Sequence, residues 1–314
     1  MTPEVCFIAF GSRALAGSRL RAWAVADAWP ESDCVPWRED WPDTYDAPVV
    51  VLQKVHPRPK ADVGMHLLEQ VRAAQARGQL VIWDLCDPIW WWMSESDFLG
   101  LARAMDGLTV STDGLQTDLW NAFQLQSFYI ADRQPFTTMQ RRHAKVPVPQ
   151  LVWFGYAQNR IPCFSSGALA LDRLLHNHVP FTLKIVDDRP EWRLSVASEL
   201  ASITTYEKWS LSTIEATLAS ADVAFLPPYP GPWGPMKGDD KIMTAAWAGL
   251  PSADGTDYPD LARLLTDWEY RAMRGRQARM WAELEREIHQ SVEEWKQVIH
   301  AIQAQKEGYA RSTV

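Results

Sequence analysis

ADVAFLPPYPGPWGPMKGDDKIMTAAWAGLPSADG, residues 221–255, carries the punctuation that decides how this chain folds. An apolar run from Val223 to Leu226 stops at Pro227 and Pro228, and a loop of glycine, proline and tryptophan follows. Lys237, Gly238, Asp239, Asp240 and Lys241 come next, then a helical pattern over 240–248 that Gly249, Leu250 and Pro251 close. Strand, glycine-bearing loop and helix start in that order favour an anion. The first helical turn leaves N–H groups free and carries the positive end of the dipole. The loop from Gly234 to Asp240 and the two lysines form a candidate phosphate site. Lys237 and Lys241 are four residues apart and share a face if the helix has begun. They meet a diphosphate as point charges, or they are exposed helix-start lysines beside Asp239 and Asp240.

Outward from this stretch, apolar runs alternate with helical periodicity, the pattern of parallel α/β sheets. In the first part, strands are expected at 5–10, 48–55, 80–85, 108–111 and 127–130, with helices over 18–29, 62–77 and 114–123. The proline- and arginine-rich passage 133–149 lacks periodicity and reads as a linker. The pattern then restarts, with strands at 150–154, 181–186, 202–206 and 223–226. Helices are expected at 166–176, 210–220, 258–265 and 270–304. The expected domains are 1–146, 147–290 and a terminal helix over 291–314. Ligands of such sheets bind beyond the carboxyl ends of the strands.

Composition narrows the class. The chain has 314 residues, 47% hydrophobic and 22% charged, enough for two globular domains. No apolar run approaches the roughly 18 residues that span a bilayer, and the first residues read as a strand, not a signal peptide. The four cysteines are scattered and form no CxxC pair, which suits a reducing cytoplasm. The formal charge of −8 is split evenly between the two parts and argues against a general nucleic-acid or anionic-membrane binder. Local basic groups remain around Arg13, Arg19 and Arg21, from Arg133 to Lys145, and from Arg271 to Arg279; such groups are usually solvated faces. No spacing suggests a metal site.

Several motifs in the C-terminal part occur in a telling order: VPQLVWFGYAQN at 148–159, FTLKIVDD at 181–188, LSTIEATLASADVAFLPP at 211–228, KIMTAAWAGLPSADG at 241–255 and SVEEWKQVI at 291–299. Together they resemble the donor half of GT4-like glycosyltransferases of the GT-B fold. The resemblance implies two Rossmann-like domains facing a central cleft, with a C-terminal helix crossing back to the N-terminal domain. It implies sugar transfer from a nucleotide-diphosphate sugar, with a UDP-sugar favoured, and retention at the anomeric carbon. No permanently bound cofactor is implied, and the departing diphosphate is met by basic side chains and a helix dipole instead of a metal ion. Gly155, Asn159, Asp187 and Asp188 fall on loops that face the nucleotide. The chain departs from the family where many members carry two glutamates, since those positions are Met236 and Thr244 here. Two rival readings follow, a sugar-nucleotide epimerase of the same fold and a catalytically silent binding subunit.

The N-terminal half supplies the acceptor side in this reading. Gly11, Ser12 and Arg13 follow the first strand, where backbone N–H groups can reach donor phosphates or acceptor, or simply form a strand-to-helix loop. Asp84 and Asp87, in WDLCDPIWWWM, end the third strand and can orient an acceptor hydroxyl or take its proton. Asp87 before Pro88 also makes a good N-cap. Trp90, Trp91 and Trp92 cannot all face one core, because helical neighbours diverge by about 100°. His56 follows the second strand, and His176 and His178 have no acidic partner nearby in sequence. The acceptor is left open among glycan, small molecule and modified DNA base, as is the oligomeric state.

Overall fold

The computed structural model describes residues 3–38, 41, 46–56, 63–135, 137–192 and 198–312, with only the backbone described at 63–65 and 309–312. The chain divides into two compact units. The first comprises 1–135, 235–238 and 287–314, and the second 136–234 and 239–286. Among the described residues, no helix is long and apolar enough to cross a membrane.

The first unit holds a parallel sheet of β1 (Val5–Ala9), β2 (Ser32–Pro36), β3 (Val49–Gln53), β4 (Leu80–Leu85), β5 (Gly107–Val110) and β6 (Phe128–Tyr129). Its strand order is β2-β1-β3-β4-β5-β6. β1, β3 and β4 are buried along their whole length, as centre strands covered on both faces must be. One face packs against helices Val63–Ala76, Glu95–Ala104 and Asp113–Phe123. The other takes Trp29 and the final helix, Ile288–Ser312, through Ile288, Val292, Trp295, Val298, Ile299 and Ile302. The last helix thus returns to the first domain, as expected.

The second unit repeats the plan with β7 (Gln150–Gly155), β8 (Thr182–Asp187), β9 (Thr204–Lys208), β10 (Val223–Phe225) and β11 (Ser252–Ala253), in the order β11-β10-β7-β8-β9 and all parallel. The helix expected at 166–176 begins at Ala157 and contains Pro162. Its buried face runs from Ala157 through Arg160, Phe164 and Leu171 to Leu174, so packing outweighs the one backbone bond proline removes. The helix expected over 270–304 is two, Trp268–Glu285 and Ile288–Ser312, and the units divide at that break. β2, β11 and the Glu95–Ala104 helix were not expected. β2 is an edge strand with only Cys34 buried and a proline at its end, so it lacks the apolar signature of a strand. The helix expected from Asp62 is seen from Val63, and Asp62 lies outside the described residues.

A buried ion cluster ties the first sheet together. Arg21 lies in a wide π turn, Arg19–Trp23, and its guanidinium grips Asp84 with bonds of 2.8 and 2.6 Å. It also donates to Ile130 O at 2.7 Å and Asp132 at 2.9 Å, while Thr109 Oγ1 donates to Asp84 at 2.7 Å. Arg21 and Asp84 have almost no solvent exposure. Arg21→Met would leave two buried carboxylates without their cation, an effect of roughly 3–5 kcal/mol for a broken buried pair. Chemical unfolding should show a clearly lowered midpoint for this variant.

Candidate functional site

The opening stretch forms a strand, a short 3-10 helix at Gly231–Met236, whose last two residues belong to the first unit, and a second-unit helix at Asp240–Trp247. Asp239 is the N-cap residue and makes no side-chain cap, its carboxylate instead accepting from Arg286 at 2.5 Å. Lys241 stands in the first helical turn, and its Nζ lies 5.1 Å from the centroid of the Trp153 ring, on β7. It also lies over Gly155, the last residue of β7, where an added Cβ would come within 2.9 Å of the ammonium. Gly155 has φ 153°, a conformation glycine tolerates and other residues rarely adopt. Among the described residues, Lys241 pairs with no carboxylate. Its charge faces an indole π-face at the carboxyl end of the sheet.

The neighbouring loops are more occupied. Asp188 accepts from the Ala157 backbone N–H at 2.8 Å, so a carboxylate already sits at that helix N-terminus. Asp187 is buried and paired with Arg160 at 2.5 Å. Burial pushes its carboxyl above the usual range, with Arg160 opposing. Asn159 lies in the first turn beside them, half-buried. Gly234 is held against the chain, since a Cβ there would meet Tyr229 O at 2.4 Å. Gly238 precedes the N-cap, and Asp240 heads the helix, its carbonyl accepting from Thr244 Oγ1 at 2.7 Å.

Lys237 departs from expectation. The helix begins only at Asp240, so Lys237 and Lys241 share no helical face, and Lys237 belongs to the first unit. Its Nζ donates to Asp87 Oδ1 at 3.0 Å, and Lys54 holds the other carboxylate oxygen. Burial disfavours ionised Asp87, but Lys54 and then Lys237 outweigh it and hold the carboxyl below the usual range. Asp87 follows β4 and Lys54 follows β3. Lys54 adopts φ 55°, an uncommon conformation for a residue with a side chain. The Cys86 thiol beside them is pushed up to about 12 by burial first and by Asp87 next.

Asp84, expected beside Asp87 as a proton acceptor or orienting group, is completely buried and bonded to Arg21 and Thr109. Both its oxygens are occupied, which suits it to fixing strand ends. Gly11 N donates to Ser18 Oγ at 3.0 Å, and Ser12 Oγ accepts from Ala14 N at 3.3 Å. Arg13 makes a two-pronged pair with Asp27 and lies over Trp23. The other basic groups turn largely inward too: Arg133 binds Glu294, Arg141 binds Asp222, and Arg274 binds Asp260. Arg271 and Arg279 are buried against backbone carbonyls. Trp90 is buried and bonded to Asp118 at 2.8 Å, while Trp91 and Trp92 are 40% and 43% exposed.

Comparison with known proteins matches the architecture. No protein-family model matches the sequence, and no characterised protein matches it by sequence alone. Solved structures do match. An alpha-glucosyltransferase, in complex with UDP and a 13-mer DNA containing an HMU base, has TM-score 0.66 and 8% identity, covering 96% of this chain and 100% of its own. WaaG, a glycosyltransferase involved in lipopolysaccharide biosynthesis, has TM-score 0.55 and 14% identity, covering 89% and 95%. TarM from S. aureus, in a complex that includes UDP, has TM-score 0.54 and 11% identity, covering 79% of this chain. The chain spans only 54% of TarM. The fold is GT-B, shared with these glycosyltransferases.

Because Asp87 titrates below its ordinary value of about 4, its ionised form contributes stability that is fully present above that value. That contribution is lost as pH falls through the lower folded-state value. Asp87→Asn should therefore destabilise the protein at neutral pH, where two ammonium groups face a neutral amide. The gap between variant and wild type should shrink between about pH 5 and pH 2. Urea midpoints taken across that range measure it.

Proposed function

We propose that this chain is a glycosyltransferase that moves a sugar from a nucleotide-diphosphate sugar, with UDP the favoured nucleotide, to an acceptor hydroxyl. The observation that carries the reading is Lys241. A cation without a carboxylate partner among the described residues is seated on Trp153 and Gly155, at the ligand end of a parallel sheet and in the first turn of a helix. Most other buried or half-buried cations here are already neutralised by carboxylates or carbonyls. An anion is the natural complement, and a diphosphate on a helix N-terminus is the commonest such anion in open α/β sheets. UDP in complexes of several solved structures that share the fold supports the nucleotide.

In this reading the acceptor oxygen bonds to the anomeric carbon as the bond from that carbon to the diphosphate breaks. The nucleoside diphosphate leaves with the electron pair, and the hydroxyl gives up its proton. Lys241 and the free N–H groups behind it meet the charge that grows on the leaving oxygen, which requires no metal ion. Gly155, Asn159 and the loop from Gly234 to Asp240 line the donor side. Asp87, held ionised by Lys54 and Lys237, is a weak base at neutral pH and a good hydrogen-bond acceptor. Its role is to orient the hydroxyl, with Asp84 supporting the strand end beneath it. Retention of configuration follows from the GT4-like motif order, supported by neighbours described as an alpha-glucosyltransferase and as a complex with alpha-GlcNAc-glycerol. The domain limits that go with this function are 1–146 for the acceptor, 147–290 for the donor and 291–314 for the returning helix.

Lys241→Ala should abolish UDP-induced thermal stabilisation and lower kcat/KM for donor by roughly 10- to 100-fold, the worth of one charge-assisted contact. Gly155→Ala should do the same by pushing on the same ammonium. Unchanged donor affinity in both variants would sink the assignment. Conversion of the donor sugar to an epimer without acceptor would favour the epimerase reading instead.

A further inference from the structure

Trp153 lies on β7, the centre strand of the second sheet, and is fully buried. Phe164, from the helix Ala157–His176, packs edge-to-face with it at 5.8 Å and 62°. Phe225, on the neighbouring strand β10, packs on Phe164 in the same way at 6.0 Å and 66°. Three rings from one helix and two strands thus fix the plane of the indole. Residues 153 and 155 share one face of the strand, because side chains alternate. Gly155 places no side chain on that face, and the Lys241 stem uses the space. A Cβ on Gly155 would come within 3.0 Å of Lys241 Cε and 3.4 Å of the Trp153 ring. The lysine therefore crosses the glycine to set its Nζ 5.1 Å from the ring centroid.

Core packing does not call for an indole at this position. Its N–H meets no acceptor among the described residues, whereas Trp83, equally buried on β4, donates to Val55 O at 2.8 Å. Phenylalanine or leucine would fill apolar space without an unpaired polar atom. What the indole adds is its face, the best of the aromatic faces for a cation. Several other cations lie over rings in this chain with a carboxylate as well. Arg13 over Trp23 pairs with Asp27, Arg160 over Tyr206 with Asp187, and Arg274 over Tyr270 with Asp260. Lys241 has the indole and, among the described residues, no carboxylate. A carboxylate would hold the ammonium more tightly but cancel its charge. A π-face holds it and leaves the whole charge to an incoming anion. It also orders the long side chain before the anion arrives, which removes an entropic cost from binding.

We propose that Trp153 is a positioning residue for the donor: its indole holds the Lys241 ammonium where the diphosphate lands, and keeps holding it in the bound state. This rests on the glycosyltransferase reading above and adds to it the group that readies Lys241. An ammonium has three N–H donors, so it lies on the ring and still donates to phosphate oxygens on its other side.

The test uses the full-length chain with UDP and uridine as probes, titrated by calorimetry and by ligand-observed NMR. Trp153→Leu, apolar but without a π-face, should weaken UDP binding about tenfold and change uridine binding by less than about twofold. Trp153→Phe, which keeps a ring face, should restore most of the UDP affinity. Equal weakening of UDP and uridine marks a merely structural role and overturns the proposal, as does unchanged UDP affinity in Trp153→Leu. A second readout needs no change in the core. In wild type with isotope-labelled lysine, the Lys241 ε-methylene signal is assigned by its loss in Lys241→Ala. The ring current of the indole should hold that signal upfield, and it should stay upfield when UDP is added. A signal at the ordinary lysine position, or one that returns there with UDP, overturns the proposal.

The two readings fail separately. Weaker UDP binding in Lys241→Ala with none in Trp153→Leu removes the indole seat and keeps the donor site. Failure of UDP to bind the wild type overturns the glycosyltransferase reading, and the seat's role in it.

Discussion

The first domain depends on one guanidinium. Arg21 leaves the helix that follows β1 and, from beneath the sheet's carboxyl end, holds Asp84 on β4 and Ile130 and Asp132 beyond β6, while Asp84 also takes the Thr109 hydroxyl of β5. Parallel strands have no hairpins to set their relative height, so their ends must be fixed by packing or by polar contacts. A cluster this buried is stable only because each charged group finds its partners. Its consequence reaches the surface. The Lys54 N–H donates to Asp84 O at 2.8 Å, so the backbone that presents Lys54 and His56 hangs from the same residue that Arg21 holds.

Electrostatics separate the structural charges from the one proposed to meet the donor. A chain with 31 lysines and arginines offers many candidate phosphate ligands, and the clustering of Arg13 to Arg21, of 133–145 and of 271–279 invites attention first. Folding pairs several members of those clusters, while Arg142, Lys145 and Arg276 are exposed. Arg21, Arg133, Arg141, Arg160 and Arg274 all meet carboxylates, and Arg271 and Arg279 meet carbonyl oxygens. Burying a cation costs several kcal/mol, roughly, unless it is paired, so inward arginines recruit partners. Lys241 is half-buried at the end of β7 with an indole face and no carboxylate among the described residues. An ammonium so placed keeps its capacity for an incoming anion.

Much of the architecture was legible in the chain because buried parallel strands are continuous apolar runs. VVVLQ, LVIWDL and QLVWFG could be little else, and each is a centre strand. The elements missed are those whose identity comes from tertiary context. β2 is half-polar and ends in proline, β11 has two residues, and Pro162 sits inside a helix held by its buried face. The candidate site was legible in part for a similar reason. Lys241 and Gly155 follow from local strand, loop and helix signals, whereas the link between Asp87 and Lys237 spans 150 positions and leaves no local trace. The ring contact among Phe10, His56 and Trp92 is intermediate. Three consecutive tryptophans announce that one must face outward, but nothing local pairs Trp92 with His56 and Phe10.

The two missing glutamates read differently once the loop is seen. Met236, at the first of those positions, is buried in the apolar core of the first domain, among side chains that include Trp90, Leu115 and Leu119. Gly114 allows the chain to come this near, since a Cβ there would fall 2.1 Å from Pro235 O. An ionised glutamate at 236 would lose its water for no partner, at a cost far above one apolar contact. Thr244, at the second position, spends its hydroxyl on the Asp240 carbonyl one turn back, a bond that leaves its methyl to the half-buried helix face. Both substitutions therefore fit the way this loop is anchored. The segment 235–238 is fixed in the first domain by Met236 and by the Lys237–Asp87 pair, and the second domain's helix begins at Asp240, one residue before Lys241. An acid at 236 would release that anchor and compete with Asp87 for Lys237. Its absence is the condition for the lysine and carboxylate arrangement seen here.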